Sequence, residues 1–365
     1  MPAVGTHTAP VPRWPIVVPS AAVAVLVASL FWPVAGTLAA VCGVALVGGV
    51  IAAVHHAEVV AHRIGEPFGT LVLAIAVTVI EASLIISLLL AGGEHTDVLV
   101  RDTVYATVMI IATGVIGLCI LLGSIRHREQ QFRIEGAGPA FAALAALAVL
   151  VLIMPVFTVS APAAVYTTSQ LAFVAVCSLL LWCVFVFFQT VSHRDYFLPP
   201  TPTADVGTHA PAPTNTRAFA SLGLLFVSLM AVVVLAKQLS PEIESAVAAL
   251  NAPRAAVGIA VAVLVLLPES LAAAQAALAN RMQTSLNLAL GSALATIGLT
   301  IPVVVIVCIT FDLPIVLGLD AKDIVLLALT LVVGAIGIGS GRTNLMYGAV
   351  QIVIFAAFLF LALVP

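Results

Sequence analysis

Eleven apolar stretches of about 20 residues follow one another along this 365-residue chain, and that succession decides what it can fold into. A run of that length crosses the hydrocarbon core of a bilayer as one helix. The runs fall near residues 16–35, 37–54, 67–91, 102–124, 138–158, 167–191, 218–236, 254–278, 285–309, 321–340 and 344–364. They are continuous rather than alternating, which excludes a transmembrane barrel. Only 8% of the residues are charged and 62% are hydrophobic, too little polarity to coat a water-soluble domain. The expected fold is an all-α integral membrane protein of about eleven transmembrane helices, with the lipid bilayer as its constant partner.

The longest polar connection, Ser192 to Arg217, is rich in Pro, Thr and Ala and reads as an extended linker. It leaves six spans before it and five after. Loops on the side of the N-terminus and the linker carry Arg63, Arg126, Arg128, Arg133, Arg194, Arg217, Arg281 and Arg342, and the tail adds Arg13. The opposite side has Arg101, Lys237, Arg254 and Lys322. Positive charge stays inside, so residues 1–15 form a cytoplasmic tail, 192–217 a cytoplasmic linker, and the C-terminus lies outside. The membrane would be the inner membrane of a bacterium.

Setting aside residues 16–35 as an extra helix leaves five spans in residues 37–191 and five in 218–365. The second span of each half holds a glutamate in its apolar interior: Glu81 in one and Glu269, directly after Pro268, in the other. These are the only two of the sixteen acidic residues placed near the middle of an apolar run. Ala74, Val77 and Glu81 also align with Ala262, Val265 and Glu269. One span runs outward and its counterpart inward, so the halves are inverted repeats, the architecture of secondary transporters with a site near the midplane.

A charged carboxylate in the bilayer core costs several kcal/mol unless it is protonated, paired or bound to a cation. Neither glutamate has a Lys or Arg in the surrounding spans, which leaves protons and cations. Oxygens that hold either, but not both at full strength, are the physical basis of antiport. Hard cations take oxygen ligands. Candidate supporting ligands are Thr78, one turn before Glu81, and Ser292 and Thr296, spaced i and i+4 in the ninth span. Pro268 also frees a backbone carbonyl near Leu264. Each hydroxyl has an alternative use, bonding back to its own helix or packing against another.

Other features are less pointed. Cys42, Cys119, Cys177, Cys183 and Cys308 all sit in apolar spans without CxxC spacing, as small core residues do. A net charge of −3 speaks against nucleic acid as a partner. The tail MPAVGTHTAPVPRWP lacks a convincing cleavage pattern for a signal peptide. His55, His56, Glu58, His62 and Glu66 read as a solvated interfacial cluster, with pH sensing as the alternative. Acidic residues on the outer side (Glu94, Asp97, Asp102, Glu242, Glu244, Asp312, Asp320, Asp323) read as a wet surface. Asn344, Tyr347 and Gln351 share one face of the last span, for a pathway or for packing.

The segments HRIGEPFGTLVLAIAVTVIEASLI, NAPRAAVGIAVAVLVLLPESL, NLALGSALATIGLTIP and SGRTNLMYGA resemble the Ca²⁺/cation antiporter superfamily, specifically the ChaA-type sodium–potassium/calcium–proton antiporters. The resemblance covers nearly the whole chain. It implies two inverted five-helix repeats behind one extra helix, and export of cations against entering protons. On the family's Gly-Asn-Ala-x-Glu motifs the glutamates fall on Glu81 and Glu269, and the Ser of a later Gly-Ser element falls on Ser292. The chain departs from the wider calcium/proton exchangers at Val77-Thr78-Val79, Val265-Leu266-Leu267 and Ala295, where those proteins carry polar ligands. The site therefore offers fewer ligands than a dedicated calcium exchanger, leaving Ca²⁺, Na⁺ and K⁺ open as cargo.

The expected function is cation/proton antiport, with Glu81 and Glu269 as shared ligands for the metal cation and the proton. No resident cofactor is expected beyond the transported ions. The alternatives are a passive cation channel, which also uses carboxylates, and an exporter of another divalent metal. An intramembrane hydrolase is disfavoured, because the spans hold no mid-membrane His or Asp for a nucleophile–base pair or a metal centre.

Overall fold

The computed structural model describes residues 13–64, 68–91, 96–161, 164–198, 213–249, 253 and 255–364. Among these residues eleven long helices follow in chain order: α1 (Trp14–Phe31), α2 (Gly36–Ile64), α3 (Phe68–Ala91), α4 (Asp97–His127), α5 (Ile134–Phe157), α6 (Thr168–Ser192), α7 (Asn215–Ala249), α8 (Ala255–Leu278), α9 (Met282–Phe311), α10 (Ala321–Gly339) and α11 (Leu345–Leu363). Nine are long and apolar enough to cross a membrane. The other two are α8, which qualifies only as a bent pair, and α3, which contributes the shorter apolar helix Ile75–Leu90. The protein is an all-α integral membrane protein.

Several helices outrun the apolar runs that announce them. Helix α1 starts at Trp14, inside the expected tail, with Pro15 in its first turn, where the missing N–H costs nothing. Helix α2 continues past residue 54 to Ile64, and α7 runs 35 residues from Asn215 instead of ending near 236. A helix that has left the hydrocarbon needs no further apolar residues, so polar good formers such as Glu58 and Lys237 carry it on. Of the expected linker, Ser192 closes α6, Arg194–Phe197 form a short 3₁₀ turn and Asn215 opens α7. Residues 199–212, most of the tail, Glu66 and Glu94 lie outside the described residues.

The ends are set by local chemistry. Thr167 caps α6 in a reciprocal box with Gln170, whose side-chain oxygen accepts from the Thr167 N–H at 2.9 Å. Asn344 caps α11 by accepting the Tyr347 N–H at 3.0 Å. A two-residue antiparallel pairing, Gln130–Gln131 with Arg342–Thr343, staples the α4–α5 connection to the α10–α11 connection.

Burial separates the middle of the bundle from its rim. The most apolar window is 78% buried in α4 and 61% in α9, against 22–44% in the other seven helices long enough to span, so α4 and α9 lie toward the interior. Helix α11 lies directly on α4: a Cβ on Gly117 would sit 2.7 Å from the Gln351 Cβ, and one on Gly348 would sit 2.7 Å from the Leu121 N. Both interior helices widen into a π turn midway, at Ile110–Val115 and Thr296–Thr300. In α9 the cause is legible, since Pro302 has no N–H to return to the Gly298 carbonyl. Gly298 also makes room for α6, where a Cβ would meet that of Trp182 at 2.5 Å.

The histidine pair at the end of α2 is not a wet cluster. His56 is 2% exposed, and its Nε2 lies 2.8 Å from the Pro15 carbonyl oxygen. The His55 ring packs on Trp14 with centroids 4.8 Å apart. The prolonged α1 covers this face of α2, which removes the water that the sequence pattern implied.

Candidate cation and proton site

Glu81 stands in the α3 interior at 2% exposure. One oxygen, Oε2, accepts a 2.7 Å hydrogen bond from the hydroxyl of Thr296. The other, Oε1, is enclosed without a hydrogen-bond partner. Thr296 opens the π turn of α9. A π turn rotates side chains off the ordinary helical register and exposes backbone carbonyls, and such turns recur at functional sites. Pro302 thus acts on the site through the turn that aims Thr296 at Glu81.

Glu269 marks the break in α8. The segments Gly258–Leu267 and Glu269–Leu278 meet at 53°, the bend expected of a proline inside a helix. The Glu269 residue is half-buried, but its Oε2 is enclosed and has no hydrogen-bond partner. Its charge bears on Glu81. Glu58 on α2, itself exposed, bears in turn on Glu269. In the sequence Glu58 reads as interfacial, since nothing in the α2 pattern shows that its polar end lies beside α8.

Of the supporting residues, Thr296 reaches a glutamate directly. Thr78 is buried one turn before Glu81. Ser292 is half-buried one turn before Thr296, and among the described residues it makes no hydrogen bond to either carboxylate. Among the described residues the one ion pair is Arg101 with Asp102, at the far end of α4 and away from both glutamates. No group of three or more His, Cys, Asp or Glu converges among the described residues. A cation held here would draw on two carboxylates, hydroxyls and backbone carbonyls, an all-oxygen set suited to hard ions.

Two segments, residues 33–191 and 220–364, each match the model of the sodium/calcium exchanger protein family. The chain belongs to that family. Within it, the chain is 35% identical over 342 residues to the sodium-potassium/proton antiporter ChaA of Escherichia coli K12, covering 92% of each protein. It is 46% identical over 320 residues to the putative ionic transporter y4hA of Sinorhizobium fredii, covering 88% of this chain and 87% of that one. The fold matches native YfkE with a TM-score of 0.74 at 19% identity, over 96% of this chain and all of that one. It matches the H⁺/Ca²⁺ exchanger CAX with a TM-score of 0.68 at 13% identity, over 95% and 87%. This exchanger is a membrane transporter of cations and not an enzyme.

Proposed function

We propose that the protein exports a metal cation from the bacterial cytoplasm in exchange for protons, with Glu81 and Glu269 as the shared ligands. The observation that carries this reading is the enclosed Glu81 carboxylate, held on one oxygen by Thr296 and unpartnered on the other. A carboxylate in that setting is stable when protonated or when a cation supplies the missing charge. The empty, doubly ionised site is too costly to carry across the membrane, and that cost couples the two flows. Thr78, Ser292 and Thr296 complete the ligand set with hydroxyl oxygens.

The division of the family match at the linker supports two five-helix halves behind the extra α1. The matching π turns in α4 and α9, each in the third helix of its half, support their equivalence. The arginine excess puts the N-terminus and the linker in the cytoplasm and the C-terminus outside, in the inner membrane. Relatives named for sodium–potassium/proton and for H⁺/Ca²⁺ exchange make Na⁺, K⁺ and Ca²⁺ the cargo to try.

The test is proton movement in inside-out vesicles with an acid interior, followed by a pH dye. Adding Ca²⁺, Na⁺ or K⁺ should alkalinise the lumen with the wild type and not with Glu81→Gln or Glu269→Gln. Cation movement without protons would favour a channel and overturn the reading.

A further inference from the structure

Threonine hydroxyls inside a membrane helix ordinarily bond to the carbonyl four residues back. Thr113 does so to Met109 and Thr310 to Ile306, the latter at 2.7 Å. Thr103, Thr107 and Thr300 do not. All three are 0% exposed, and their hydroxyls have no hydrogen-bond partner. A buried polar group left unpaired is destabilising, and within a bilayer core there is no bulk water to relieve it. Three such groups in one region need a common reason.

Thr103 and Thr107 lie along one seam, and Thr300 lies on a turn that touches the same half of α4. The Asp102–Thr103 backbone of α4 rests on Gly258 of α8, where a Cβ would stand 2.9 Å from the Asp102 carbonyl carbon. Thr107 is one turn further along the same face of α4. This half of α4 packs along α8 and touches the Thr296–Thr300 turn of α9. That turn ends at Thr300 and begins at Thr296, the partner of Glu81. At the other end of the seam Asp102 feels the charges of Asp97 and Asp320, and Arg101 fixes it at 2.8 Å while also donating to the Gly318 carbonyl at 3.2 Å. Packing contacts thus lead from the acidic mouth along α4 to the turn that carries Thr300 and Thr296, and from there to the Glu81 carboxylate.

We propose that the seam between α4 and the first half of α8 is the outward limb of the transport path, closed in this conformation. Thr103, Thr107 and Thr300 solvate the ions in transit when it opens. The inference rests on the cation/proton exchange proposed above, and it adds the route between Glu81 and the face opposite the arginine-rich one. Glu81 and Glu269 take no part in its labelling test.

The test uses the full chain with its five cysteines replaced, in a form that still transports, carrying Thr103→Cys or Thr107→Cys. A membrane-impermeant thiol reagent should modify both positions from the face that carries Asp97 and Asp320, and modification should stop transport. Thr107→Val should slow transport about tenfold, the size of one lost hydrogen-bonding partner, and Thr107→Ser should restore it. Absence of modification from that face, or a Thr107→Val protein as fast as the wild type, would overturn the assignment. If Glu81→Gln and Glu269→Gln retain exchange while the seam is labelled, the carboxylate mechanism fails and the route stands.

Discussion

Thr296 of α9 donates a 2.7 Å hydrogen bond to Glu81 of α3, joining residues 215 positions apart in the chain. The donor belongs to the second family-matched segment and the acceptor to the first. A hydrogen bond to a charged group contributes about 1.5–3 kcal/mol. Thr296→Val should therefore reduce transport roughly ten- to hundredfold, with Thr296→Ser near wild type. Initial rates of cation-driven proton movement in vesicles are the readout. A fast Thr296→Val variant would remove the hydroxyl from the site.

Pro302 shapes the same contact from two turns away. Pro302→Ala restores the backbone N–H and lets α9 close into a regular helix across Thr296–Thr300. The helix should become more stable while Thr296 rotates off Glu81. The expected outcome is a variant with an unchanged or higher melting temperature in detergent and a transport rate close to that of Thr296→Val. Normal transport by Pro302→Ala would show that the wide turn does not position the hydroxyl.

The contact of α11 with α4 leaves no room at Gly348, where a Cβ would lie 2.7 Å from the Leu121 N and 3.0 Å from its Cα. Backbone atoms do not swing aside as a side-chain tip does. Gly348→Ala should cost about 1–3 kcal/mol by overpacking. Gly223 in α7 is the control, since a Cβ there meets nothing within 4 Å. Gly223→Ala should be neutral, or stabilising by about 0.5–1 kcal/mol. Thermal unfolding of the purified proteins separates the two.

His56 holds the start of α1 through the Pro15 carbonyl at 2.8 Å. His56→Ala removes this tie. Hydrogen exchange over the first two turns of α1 should accelerate, while exchange in α4 and α9 stays as it was. If α1 remains equally protected, the ring is not what anchors it.

The bundle was legible because twenty-residue apolar runs have one economical solution in lipid, and the two glutamates because charge in such runs demands a reason. The ends of α2 and α7 were not, since a helix leaving the bilayer is carried by ordinary propensity and tertiary support. His56 reads as wet in the sequence because the cover given by α1 from Trp14 onward is a tertiary fact. Thr296 appeared in the sequence as one of three hydroxyls of equal standing. The turn that selects it depends on Pro302 and on where α3 packs against α9. Thr103, Thr107 and Thr300 give no signal in the sequence, because an unpaired hydroxyl is defined by its neighbours and not by its spacing.

Proton release on cation binding tests the shared-carboxylate site most directly. Purified protein in weakly buffered detergent solution would be titrated with Ca²⁺, Na⁺ and K⁺ while released protons are counted. The wild type should release protons as the cation binds, and apparent affinity should fall as pH is lowered, because protons and cation compete for the same oxygens. The Glu81→Gln/Glu269→Gln variant should neither bind nor release. Cation binding by the wild type with no proton released at any pH would contradict the shared site.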